Sequence, residues 1–103
     1  MINIELKVVD NPLHQKIEKI KMYRLCSIIK FDVEEYLNGY FKYNDSGFRF
    51  QTFKNGLCEI LNKYSIEYKI DYIYDKDFDN VKVYMGKNFV LDLNIIRDNE
   101  FHI

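Results

Sequence analysis

Alanine is absent from this chain of 103 residues, proline occurs once, and there are four glycines. So little glycine and proline leaves no linker, low-complexity segment or internal repeat. It also leaves no glycine-rich phosphate loop, and neither a nucleophile elbow nor a His-Glu-x-x-His helix is present. The two cysteines, Cys26 and Cys58, both fall in helical apolar patterns and suit buried free thiols. A disulfide between them is the alternative, and a zinc site lacks clustered ligands. A net charge of −1 gives no overall drive toward nucleic acid or membrane, so charge must act locally. No apolar run approaches the roughly 18 residues that cross a bilayer. Met1 is followed by alternating residues instead of a basic stretch and an apolar run, so no signal peptide is expected. The expected location is the cytoplasm of a bacterial host. Phe, Tyr, Met, Ile, Asn and Lys, the residues of AT-rich codons, supply 55 of the 103 positions, which points to an AT-rich bacterium, phage or mobile element.

What is present is apolar and aromatic. At 48% hydrophobic and 17% aromatic residues, one domain spanning 1–103 can bury a core without metal or disulfides. The stretch from Pro12 to Gly39 contains no helix breaker between its ends. Asn11 suits an N-cap and Pro12 the first helical position. With Leu13 at zero and about 100° per residue, Ile17, Ile20, Ile28 and Phe31 fall on one side. Met22, Cys26, Ile29, Val33, Tyr36 and Tyr40 fall on the other. From Met22 to Phe31 the segment is therefore apolar on two faces. One face is expected to cover a sheet, and the other to meet a second layer or a second copy in a homodimer. Asp32-Val33-Glu34-Glu35 has the form of a capping box, so one helix and two helices meeting near Phe31 both fit.

Ile2, Ile4, Leu6 and Val8 alternate with polar residues as a half-buried strand does. Tyr40–Tyr43 and Phe48–Phe50 around Asn44-Asp45-Ser46-Gly47 predict a small hairpin, with Tyr43 opposite Phe48 and Phe41 opposite Phe50. Thr52 is placed to cap a helix carrying Phe53, Leu57, Ile60, Leu61 and Tyr64 on one stripe. Gly56 inside it costs roughly 1 kcal/mol relative to Ala, so this helix needs tertiary packing. Alternation returns at Ile66–Tyr74, Val81–Met85 and Phe89–Ile95. Opposed residues share a face, which sets Met85 against Phe89 and Lys82 against Asp92. The same rule sets Tyr74 against Val81, with Ile73 flanking Lys82. The fold class is α+β: an antiparallel sheet with a C-terminal three-stranded meander, packed by helices on one face.

Two charged segments stand out. Asp71, Asp75, Asp77 and Asp79 face only Lys76 between residues 71 and 80, with Tyr72, Tyr74 and Phe78 interleaved. Asp71, Asp75, Asp77, Phe78 and Asp79 are the expected contact residues of an acidic hairpin tip for a protein with a basic groove. The Asp-x-Asp-x-Asp spacing opens like a calcium loop, but Gly86 stands where a bidentate Glu is required, and strands flank it instead of helices. The second segment puts Lys16, Lys19, Tyr23, Ser27 and Lys30 on one helical face. That stripe suits phosphate contacts, or is an ordinary solvated face. His14 and His102 have no Ser, Cys or carboxylate at a suggestive spacing, so no catalytic residue, metal or cofactor is assigned.

Short length, one domain, AT-rich bias, no catalytic motif and two opposed charge patches resemble the small anti-CRISPR inhibitors made by phages and mobile elements. The resemblance is one of general character over the whole chain, and those proteins share no motif from which residue roles transfer. It implies stoichiometric binding to an RNA-guided nuclease, whose grooves are rich in Lys and Arg. Neither a membrane nor directly bound nucleic acid is then a partner. The alternatives are a nucleic-acid-binding module or RNA-directed toxin using the basic helix, and an immunity or antitoxin protein. The β-α-α-β-β-β order is similar to small ribosome-dependent RNA-cleaving toxins. Their basic C-terminal cleft has only Arg97 and His102 here, beside Asp98 and Glu100.

Overall fold

The computed structural model describes the backbone of residues 2–8, 16–43 and 48–96, and the side chains of 2–8, 20–41 and 48–96. The fold is α+β, with the element order β1 (Ile2–Val8), α1 (Lys16–Tyr43), α2 (Phe50–Lys63), β2 (Tyr68–Tyr74), β3 (Phe78–Met85) and β4 (Phe89–Ile96). It divides into two compact units: a helical one, Pro12–Glu67, and a sheet one, Met1–Asn11 with Tyr68–Ile103.

In the helical unit α1 is one continuous helix of 28 residues. Asp32 lies inside it and starts no second helix, and its carboxylate faces α2 instead. It accepts a hydrogen bond from the Tyr64 hydroxyl and lies 3.7 Å from Lys63 Nζ, both at the end of α2. One stripe of α1, Cys26, Ile29, Val33, Leu37 and Tyr40, is buried, as is the stripe Phe53, Leu57 and Leu61 of α2. Burial pushes the Cys26 thiol up to about 11, so it stays protonated and unreactive at neutral pH. Cys58 is half-buried, and both cysteines are free thiols.

The hairpin predicted over 40–50 does not form. Residues 40–43 continue α1 past Gly39, and Phe50 already opens α2. The aromatics suit a strand by propensity, but Tyr36 and Tyr40 are also one helical turn apart, and packing decides. Tyr36 stacks on Phe53 with centroids 5.1 Å apart, while Tyr40 meets Phe53 edge-on at 6.0 Å. Phe48 closes the cluster 5.2 Å from Phe53. Thr52 is not the cap either: the N-cap position is Arg49, with no side-chain cap bond of its own. Instead the Tyr40 hydroxyl, reaching across from α1, accepts the Arg49 amide N–H at 3.0 Å. At the other end Ser65 takes φ 56, the left-handed turn that closes many helices. Its amide donates to the Asn62 carbonyl at 3.2 Å. The N-terminal cap expected at Asn11-Pro12 lies outside the described residues.

The sheet unit is antiparallel with strand order β1-β4-β3-β2. Met85 opposes Phe89 and Lys82 opposes Asp92, as alternation requires. Gly86 opens the connecting turn at φ 61, where a residue without Cβ carries no penalty. The β2–β3 register differs from expectation by two residues: Tyr74 opposes Asp79, Tyr72 opposes Val81, and Asp71 instead of Ile73 flanks Lys82. Alternation fixes which face a residue occupies but leaves register free in steps of two. The turn resolves it, since the Asp75 amide donates to the Phe78 carbonyl at 2.9 Å and the Asp77 amide to Asp75 Oδ2 at 3.1 Å. One sheet face holds Val81, Val83, Met85, Phe89, Leu91, Leu93 and Ile95, all buried. β2 begins at Tyr68, so Ile66 precedes the strand.

Candidate functional site

The second face of the sheet is polar, and its middle is ordered by a network of polar side chains. Asn80 on β3 donates to Asp92 Oδ1 at 2.7 Å and to Asn94 Oδ1 at 2.8 Å on β4. Lys82 Nζ donates to Asn80 Oδ1 at 2.8 Å, and Lys7 Nζ on β1 to Asp92 Oδ2 at 3.0 Å. Burial pushes the Asp92 carboxyl up, but the Asn80 and Lys7 hydrogen bonds and the nearby Lys82 and Lys7 charges outweigh it. Asp92 lies below the ordinary carboxylate range as a result, and Lys7 is raised, chiefly by its hydrogen bond to Asp92. Every buried side-chain nitrogen or oxygen among the described residues has a partner, so this network is a structural clamp across three strands. Among the described residues no three His, Cys, Asp or Glu side chains are gathered to hold a metal.

Toward the β2–β3 turn the polar face changes character. Phe78 opposes Ile96, and Ile73 opposes Asn80, which makes Ile73 the diagonal neighbour of Phe78. Ile73 is 53% exposed and Ile96 45%, while Phe78 is half-buried. Asp75 and Asp77 stand at the turn beside this apolar group, Asp77 exposed, and Asp71 lies two residues before Ile73, opposite Lys82. Tyr74 projects from the other face of the same strand end, 68% exposed.

Of the expected tip residues, Asp75, Asp77 and Phe78 are thus gathered at one end of the sheet, while Asp71 lies mid-strand opposite Lys82. Asp79 is not part of that surface. It is 1% exposed, sits on the apolar face, and accepts a hydrogen bond from the Tyr72 hydroxyl. Phe78 belongs to β3 and is not a loop residue. Ile73 and Ile96 join the surface without having been picked from the sequence. The available signal was that each breaks the alternation of its strand, following Tyr72 and Ile95 with a second apolar residue.

Of the basic stripe, the side chains of Lys16 and Lys19 lie outside the described residues, as do His14, Arg97 and His102. Tyr23 is exposed on α1, and Lys30 pairs with Glu34 at 3.4 Å one turn on. No helix among the described residues is long and apolar enough to cross a membrane. No protein-family model, curated protein or solved structure matches this chain.

Proposed function

We propose that this chain is a non-catalytic accessory protein that inhibits an RNA-guided defence nuclease by binding it directly. The observation that supports a binding role is exposed Ile73 and Ile96, with half-buried Phe78 between them, beside Asp75 and Asp77. Apolar residues exposed together inside a charged rim are the usual composition of a protein-docking surface. The acidic rim suits a partner rich in Lys and Arg, and a groove built to hold guide and target strands is such a partner. In this mechanism the aspartates steer the encounter, Ile73 and Ile96 anchor the bound state, and the groove is closed to nucleic acid. The nuclease as the particular target comes from the chain's general resemblance to anti-CRISPR inhibitors.

The test is guide-directed cleavage by purified effector nucleases, titrated with the full chain. Loss of cleavage at a stoichiometric ratio, relieved by Asp75→Lys with Asp77→Lys, is the expected result. Direct binding of the chain to RNA or DNA, lost on reversing Lys16 and Lys19, would contradict it and favour a nucleic-acid module.

A further inference from the structure

A different surface remains on α1. Ile20, Ile28 and Phe31 lie on the side opposite the buried stripe of Cys26, Ile29, Val33 and Leu37, and each is 52–58% exposed. Three large apolar side chains over three helical turns form an interaction face by composition. The charges around them identify the occupant. Lys21 and Arg24 stand in the first half of this face and Glu35 in the second, while Asp32 and Glu34 are engaged within the chain by Lys63 and Lys30. A second copy laid antiparallel meets the basic half with the acidic half, whereas a parallel copy sets like against like.

We infer that the exposed face of α1 is a homodimer interface, formed by two antiparallel copies of this helix about a two-fold axis passing between Ile29 and Lys30. The residue spacing is self-complementary about that point. Ile28 and Phe31 lie about 2 Å to either side of it along the helix and pack on each other's copies, at 1.5 Å rise per residue. Arg24 and Glu35 lie about 8 Å to either side on nearly the same helical face, so each Arg24 faces the other copy's Glu35. Both are exposed and form no ion pair within the chain among the described residues. One turn further, Ile20 comes over the Asn38–Gly39 step, where nothing stands within 4 Å of the place a Gly39 side chain would occupy. Outward from its centre the interface thus runs apolar, charged and apolar again on each side.

Sedimentation equilibrium of the full chain tests the assignment. A concentration-dependent dimer is expected, converted to monomer by Phe31→Glu with an unchanged circular dichroism spectrum, since Phe31 is more than half exposed. Arg24→Glu and Glu35→Arg should each weaken dimerisation about tenfold, because symmetry doubles every rim contact, and the double variant should restore it to within about threefold. A chain that stays monomeric up to about 0.1 mM overturns the inference and leaves the face to a different protein. A dimer whose two charge reversals do not compensate overturns the antiparallel register.

Discussion

Asp92 is where burial and charge oppose each other most directly. Its carboxylate is nearly buried, yet the Asn80 and Lys7 hydrogen bonds hold it below the ordinary carboxylate range. A carboxyl depressed in the folded state contributes stability above its unfolded pKa, and that contribution disappears as pH falls through the folded value. Asp92→Asn should therefore cost about 1.5–3 kcal/mol at pH 7, the range for hydrogen bonds to a charged group. In acid, once pH has fallen below that lowered folded value, the cost should shrink toward zero, because protonated Asp92 is then as neutral as Asn. Urea unfolding of both proteins at pH 7 and in acid checks this; an equal difference at both would show that the charge contributes nothing. The Asp79 position was readable at this scale too. It is two residues before Val81 and so shares the apolar face, but an acidic cluster counted by sequence position alone includes it in the tip.

Among the elements, α2 depends on two backbone positions. A Cβ at Gly56 would overlap the end of the Tyr36 ring, which is held by stacking on Phe53 and by donating to the Phe53 carbonyl at 3.1 Å. Gly56→Ala gains roughly 1 kcal/mol of helix propensity but displaces that ring, and overpacking of about 1–3 kcal/mol should outweigh the gain. The expected result is a lower urea midpoint for Gly56→Ala, with most of the loss recovered in a Tyr36→Leu background. A midpoint unchanged or raised in the native background would mean Tyr36 moves freely. Ser65 presents the converse case, a non-glycine residue at φ 56. Ser65→Gly should stabilise by about 0.5–1 kcal/mol, read as a higher midpoint, because relief of left-handed strain exceeds the added unfolded-state entropy. Sequence pattern revealed the meander because Met85 and Phe89 sit either side of a short glycine turn that fixes their register. It revealed only the faces of β2, since a slip of two residues preserves alternation. It misplaced 40–50 because Tyr40, Phe41 and Phe48 satisfy strand propensity, while what makes residues 40–43 helical is a contact with Phe53 and Arg49, distant in sequence.

For the molecule as a whole, a formal charge of −1 conceals two segments of opposite sign, the aspartates of 71–79 and the basic residues of 16–30, and the proposed function gives the partner to the first. The acidic end of the sheet was legible as a run of aspartates. Its apolar centre was not, because Ile73 and Ile96 come together only through the pairing of β2, β3 and β4. Charge at a rim governs encounter rate and salt dependence, while apolar anchors govern dissociation. Asp75→Lys with Asp77→Lys should accordingly slow association with the partner and reverse its salt dependence, and Ile73→Ala should speed dissociation about tenfold. Reversing Lys16, Lys19 and Lys30 to Glu should leave both rates within about twofold of the native protein. The most direct measurement is inhibition of guide-directed cleavage by the native chain, the double aspartate variant and the triple lysine variant, side by side at equal concentration. The account predicts that the lysine variant still inhibits and the aspartate variant does not; inhibition lost with the lysines and kept without the aspartates would contradict it.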